Sequence, residues 1–156
     1  MVRVEVSLDP GEMAIACCVG AGRQRHALRK GYENKHGFHG VGWSEHIEGA
    51  AGEMAVAKYF GVYWGGAYNA WKGPDIGSHI QVRTRGGPYH ELIVRHDDAD
   101  EDAFVLVTGR APHFTIHGWI YGRDAKSPSW LQTHGNRPAA YFISPDYLLP
   151  ISKLKP

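Results

Sequence analysis

The sequence predicts an α/β (α+β) domain: a central mixed β-sheet flanked by helices, with an added N-terminal helix. Three observations carry this expectation. A capping signature at Asp9 opens one helix, a stretch of small and apolar residues from Ser44 to Phe60 forms another, and the runs IQVRTR, ELIVR, AFVLVT and FTIHGWIYG have the alternation or apolar continuity of strands.

Composition sets the outer limits. A chain of 156 residues, 43% hydrophobic and 21% charged, has the size of one domain and can bury a core without disulfide staples. Its formal net charge of +1 produces no long-range field for nucleic acid, so any attraction for phosphate has to come from a local patch. Cys17 and Cys18 are neighbours in an apolar stretch and point in different directions on a helix, which fits reduced, buried thiols. With neither a charged-then-apolar leader nor an apolar run of spanning length, the expected location is the cytoplasm, away from membranes.

Val2, Val4 and Val6 alternate with Arg3 and Glu5 as a short strand or extended arm. Asp9-Pro10-Gly11-Glu12 then supplies an N-cap acid, a proline at the first helical position and a glutamate three residues after the cap. The helix is expected from Pro10 to Lys30, with Met13, Cys17 and Leu28 among its apolar positions and Gly20 and Gly22 weakening its middle. Its last turns carry Arg23, Arg25, Arg29 and Lys30. Two accounts fit them: cations suit the negative end of a helix dipole, and they also make a phosphate-contacting patch.

Residues 31–43, GYENKHGFHGVGW, are a long connection of the kind that covers a site or reaches a partner. His36 and His39 within it lack further ligands at zinc spacing. In the second helix, Ser44 is the expected N-cap and Gly61 the stop. Glu53 has Gly49, Ala50, Val56 and Ala57 as its helical neighbours, a small and apolar face that sits close against a sheet. A carboxylate there needs a metal, an arginine or a hydrogen-bond network; Arg83 is one candidate for a structural ion pair. Glu48 has a more polar setting and is expected at a solvated position.

Val62 to Trp64 and GGAYNAW lead into Lys72–Arg85, KGPDIGSHIQVRTR. Asp75 follows a Gly-Pro turn signal, and Ile80, Val82 and Thr84 then alternate with Gln81, Arg83 and Arg85. Asp75, Gln81 and Arg83 are therefore expected on one side of a bent hairpin, in a pattern suited to holding a divalent metal beside a phosphate. AFVLVT at 103–108 is apolar enough to be a central strand. HDDADEDA before it begins like a calcium loop, but Ala103 replaces the required glycine and Gly109 the closing glutamate. It is read as a solvated acidic loop that repels nucleic acid. His113 and His117 share a strand face without a third ligand. The remainder offers a short helix near Ser127–Thr133 and an extended YFISPDYLLPI.

The order of GAAGEMAVAKYFG, GPDIG and IQVRTR resembles the PD-(D/E)xK nuclease superfamily: a helix bearing a glutamate, a Pro-Asp turn, then a strand with an acid-x-lysine pair. GEMAIACCVGAGRQRHALRKG and HGWIYGRDAK extend the likeness to uncharacterised phage and prophage proteins of this type. The resemblance implies a restriction-endonuclease-like fold with its core at 44–122, an N-terminal extension at 1–43 and a C-terminal one at 123–156, all within a single domain.

It further implies Mg²⁺- or Mn²⁺-dependent hydrolysis of DNA phosphodiesters, with Asp75 as principal metal ligand and Glu53 as an outer or direct one. Gln81 stands at the second acid position and Arg83 at the lysine position; the Val82 carbonyl would complete the coordination sphere. Gln81 ligates without charge, and Arg83 clamps phosphate but takes no proton from water. Arg83 and Arg85, with Arg23, Arg25 and Lys30, are the expected nucleic-acid contacts. A homodimer would supply the second site that cutting both strands needs. The competing expectation is a fold without catalysis that binds nucleic acid or protein. No P-loop, dinucleotide fingerprint or nucleophile elbow is present, so a nucleotide cofactor is not expected.

Overall fold

The computed structural model describes residues 2–31, 42–67 and 73–156. His36 and His39, and the lead-in at 68–72, lie outside the described residues.

Strand β1 (Val4–Ser7) leads into helix α1 (Pro10–Lys30) through a complete capping box. Asp9 accepts from the Glu12 backbone N–H at 2.8 Å, and Glu12 Oε1 accepts from the Asp9 N–H at 2.8 Å, satisfying two otherwise orphaned donors. Gly31, at φ +66°, closes the helix in the left-handed conformation and donates to the carbonyls of Ala27 and Leu28. Gly20 proves to be a contact: a Cβ there would lie 2.5 Å from the Ile47 Cα, so its absence lets the two long helices cross backbone to backbone.

Helix α2 (Gly42–Phe60) starts two residues before the expected cap, which puts Ser44 inside the first turn. All eight residues from Ala50 to Ala57 are buried. A helix covered on one face would alternate between buried and exposed positions. This one is enclosed because α1 runs along one side of it and a sheet lies against the other.

That sheet has the order β1-β5-β4-β2, from β2 (Ile80–Arg85), β4 (Ala103–Arg110) and β5 (His113–Tyr121). It is mixed: β2 pairs parallel to β4, and the other neighbours are antiparallel. The apolar β4 is interior, as its composition predicts. Its residues split between two cores: Ala103, Val105 and Val107 join the α2 side, while Phe104 and Leu106 face away from it.

On that second side the sheet is covered by strands. β3 (Leu92–Val94), β6 (Leu131–Gln132) and β7 (Ala140–Ile143) form a three-stranded sheet of order β3-β7-β6. Leu92, Val94, Tyr141 and Ile143 pack on Phe104 and Leu106. The expectation of helices flanking the sheet therefore holds for one face, where both long helices lie. In place of a helix near Ser127–Thr133 there is a single 3₁₀ turn, Pro128–Trp130, running straight into β6. Short helix α3 (Gly122–Ala125) closes β5. No helix among the described residues is long and apolar enough to cross a membrane.

Candidate active site

β2 is the edge strand among the described residues, with no described strand paired to its outer side. The segment before it folds back over that edge: Asp75 and Ile76 donate to the Ile80 carbonyl at 2.8 and 3.2 Å, with Gly77 at φ +58° making the turn. This places the Asp75 carboxylate on the free edge, where Oδ2 accepts from the Val82 N–H at 2.7 Å.

Asp75 keeps some contact with solvent, yet protein crowds it on most sides. Burial, and then the negative charge of Glu53, raise its pKa to about 7; the Val82 hydrogen bond and the charges of Arg83 and Arg23 only partly offset them. The two carboxylates expected to act together thus face each other electrostatically across the α2–β2 contact. That contact is tight because residue 52 is glycine: a Cβ at Gly52 would lie 2.0 Å from Thr84 Oγ1.

Glu53 is only 6% exposed, and its partner is on α1. Arg23 Nη1 donates to Oε2 at 2.5 Å and Nη2 to Oε1 at 2.9 Å, a two-pronged pair, while Trp64 Nε1 donates to Oε1 at 3.3 Å. Arg23 Nε is spent on the Ala67 carbonyl at 2.9 Å. Burial alone would lower the Arg23 pKa, but Glu53 reverses this and the net change is upward. Of the cations expected to touch nucleic acid, Arg23 is therefore turned into the site to neutralise Glu53, whereas Arg25 and Lys30 are exposed on α1.

Gln81 and Arg83 leave the face of β2 opposite Val82, toward the second core. Gln81 Nε2 donates to the Gly73 carbonyl at 3.1 Å and to Asp102 Oδ2 at 3.0 Å. Arg83 lies over the Phe104 ring, 5.0 Å from its centroid, and Nη2 donates to Asp98 Oδ1 at 2.9 Å. Arg83 is near enough to Asp75 to lower its pKa, but the three side chains expected on one side part company: Asp75 caps the edge of β2, and Gln81 and Arg83 turn to separate acids. The Arg83 pairing once conceivable for Glu53 is taken by Arg23. Arg85 donates to the Glu91 carbonyl at 3.0 Å.

The acidic loop is solvated as expected, with Asp97, Asp100 and Glu101 exposed, but it is also tied into the fold. Asp98 holds Arg83 and accepts from the Arg95 N–H at 2.8 Å; Asp100 pairs with Lys126 at 2.6 Å and Glu101 with Arg123 at 2.8 Å. Three of its five acids are thereby paired with cations. Glu48 is likewise engaged, accepting from the Ala111 N–H at 2.9 Å. His113 and His117 have separate partners, Ser7 Oγ at 2.9 Å and Thr108 Oγ1 at 2.6 Å.

Arg23 as the Glu53 partner, Trp64 as a third donor and Asp98 as the seat of Arg83 could not be read from the chain, because each pairing joins distant elements. The mid-helix Gly20 was the one local sign that α1 lies hard against α2.

Among the described residues, no three His, Cys, Asp or Glu side chains gather into a metal cage. Mg²⁺ and Mn²⁺ do not require one; such ions are held by one or two carboxylates and keep several waters. Among the described residues Asp75 Oδ1 has no hydrogen bond and the Gln81 amide uses only its nitrogen, so each keeps a hard oxygen of the kind such an ion takes. Comparison with family models, curated proteins and solved structures gives no match for this chain.

Proposed function

We propose that the protein is a Mg²⁺- or Mn²⁺-dependent nuclease that hydrolyses phosphodiester bonds in DNA at Asp75. The observation that supports this reading best is the burial of the Asp75 carboxylate within the field of Glu53. A largely buried carboxylate in the negative field of Glu53, only partly offset by the Val82 N–H and the charges of Arg83 and Arg23, is one that a divalent cation would relieve.

Asp75 Oδ1 and the Gln81 amide oxygen would hold the ion. Glu53, fixed by Arg23 and Trp64, acts through water as an oriented negative charge. The ion, when bound, supplies a nucleophilic water and neutralises phosphate charge. Arg83 binds the scissile phosphate: Asp98 and the Phe104 face position its guanidinium, and it spends only one nitrogen on Asp98, which leaves further donors for phosphate oxygens. Since Arg83 stays protonated, it stabilises negative charge and does not serve as the base.

The test is cleavage of supercoiled DNA and of linear single- and double-stranded DNA with Mg²⁺ or Mn²⁺. Metal-dependent nicking should fall at least about 100-fold in Asp75→Asn and more moderately in Glu53→Gln. Nicking that persists in Asp75→Asn, or none with either ion, defeats the proposal.

A second reading has its own support: the closed Arg23–Glu53 pair and the turn of Gln81 toward Asp102 form an ion-pair network with no need of a metal. On that reading the fold binds nucleic acid or protein without cutting. DNA binding without cleavage, weakening as salt rises, would favour it.

A further inference from the structure

The three-stranded sheet has an outer face that no described element covers. Leu92, Val94, Tyr141 and Ile143 point inward, so the intervening Ile93 and Phe142, which are directly paired across β3 and β7, point outward and stay half-exposed. The exposed His134 ring packs edge-on against Phe142 at 4.7 Å.

Arginines border this patch. Arg95 follows β3 in the outward register of Ile93, Arg85 reaches the start of β3 at the Glu91 carbonyl, and Arg137 is exposed in the turn before β7. Arg137 lies near enough to lower the pKa of both Arg85 and Arg95, which are also held down chiefly by burial. The nearest acids are Glu91 beside Arg85, and Asp98 and Asp97 beside Arg95; Asp98 is already held by Arg83. None of the three arginines forms a salt bridge among the described residues.

Guanidiniums drawn together with no salt bridge among the described residues, beside a half-exposed ring on a sheet, match what a single nucleic-acid strand presents: regularly spaced phosphates and flat bases that stack. A duplex keeps its bases stacked inside and has no use for the ring. We propose that the outer face of β3 and β7 is a binding surface for single-stranded nucleic acid. Arg85, Arg95 and Arg137 take its phosphates, and Phe142 with His134 stacks its bases. Arg83, two residues before Arg85 on β2, links this face to Asp75. The inference deepens the nuclease reading and rests on it for the direction in which the strand runs.

Binding is measured by fluorescence anisotropy in EDTA, where no cleavage occurs, using labelled oligothymidylate and oligouridylate of about twenty nucleotides and a duplex of equal length. The oligomers should bind more tightly than the duplex. The double variant Arg95→Gln/Arg137→Gln should weaken binding at least tenfold and make the salt dependence shallower by about 1.4 in log–log slope, the share of two phosphate contacts on a single strand. His134→Ala with Phe142→Leu, which keeps the apolar packing, should weaken binding about fivefold with an unchanged slope. Thermal melts confirm that each variant folds.

Preference for the duplex, or affinity unaffected by these variants, overturns the proposal. So does loss of binding on replacing Arg25 and Arg29 instead, or capture of an acidic protein with no affinity for either oligomer. The two readings fail separately. Binding that depends on Arg95 and Arg137 in a protein that cuts nothing removes the nuclease and keeps the face; cutting lost in Asp75→Asn but indifferent to Arg95 and Arg137 does the reverse.

Discussion

At the scale of single residues, Asp75 and Glu53 solve the same problem in opposite ways. Glu53 is the more buried and is held by Arg23 and Trp64; among the described residues Asp75 receives one backbone N–H, and it stands in the field of Glu53. Breaking a buried pair by removing one partner leaves an uncompensated charge. Arg23→Ala should therefore cost about 3 kcal/mol in urea unfolding, and combining Arg23→Met with Glu53→Gln should restore most of it. Equal losses in the single and double variants would show that the pair is not what Arg23 contributes. Asp75 predicts a pH effect of the opposite sign to an ordinary salt-bridged acid. Its folded pKa is raised from 3.8 to about 7, so between these values the folded chain holds a proton that the unfolded chain has lost. Stability is then highest below about pH 4 for this group and is lost as pH rises through 7. The rise corresponds to at most about 4 kcal/mol, which solvent contact reduces to about 2. Without metal, Asp75→Asn should be more stable than the parent by about 2 kcal/mol at pH 8 and equal to it near pH 4. Added Mn²⁺ should stabilise the parent at pH 8 and leave Asp75→Asn unmoved. That Glu53 needs a partner was legible from its apolar helical neighbours; which arginine answers was not, since Arg23 and Arg83 are equally cationic in sequence and only tertiary packing separates them.

At the scale of elements, legibility followed the range of the interaction. The helix from Pro10 to Lys30 is set by its own caps, which are local, and its ends fall where the capping box and Gly31 put them. β4 was recognisable as central because both of its faces are apolar. The strand at 140–143 was legible only as the start of an extended YFISPDYLLPI, and the two-residue β6 was hidden under an expected helix, because short strands owe their existence to partners; the 3₁₀ turn at Pro128 merely delivers the chain to its register. Close approaches are set by glycines whose purpose appears only in three dimensions. Gly52→Ala would drive a methyl into Thr84 Oγ1, with the Thr84 Cβ and Cγ2 each at 3.0 Å. Overpacking of this kind costs about 2 kcal/mol, and Thr84→Ala in the same chain should recover part of it by removing Oγ1 and Cγ2. Gly20→Ala meets Ile47 main-chain atoms at 2.5 and 2.7 Å, which no side-chain substitution can clear. It should cost more than Gly52→Ala and resist rescue; similar costs at both sites would mean that the α1–α2 crossing yields more easily than its geometry requires.

At the scale of the whole molecule, the segment after α3 joins both cores. Its strand β7 pairs with β3, and together they cover Phe104 and Leu106 on one side of the main sheet. Farther on, Leu149 bridges to Trp119 through hydrogen bonds of 2.8 and 3.0 Å, and Ile151 and Leu154 enter the helix-side core with Val105 and Ile116. The bridge runs over Gly118, where a Cβ would lie 2.5 Å from the Leu149 carbonyl oxygen. Sequence alone suggests an appendage, since Pro, Gly and aromatics are spread through it without a period. Physically it is a clamp holding the two layers together. A chain ending at Lys126 should therefore fail to unfold cooperatively and should bind a hydrophobic dye, because Phe104 and Leu106, wholly buried in the intact chain, lose their cover. The loss should reach the candidate site as well. Phe104 is the platform beneath Arg83, and β4 holds β2 in the register that sets Val82 against Asp75. A soluble, cooperatively folding 1–126 fragment that still shows the Asp75-dependent Mn²⁺ stabilisation would refute the clamp and return the segment to the status of an extension. Loss of both properties together would place the whole chain, rather than its central stretch, as the smallest unit able to build the site.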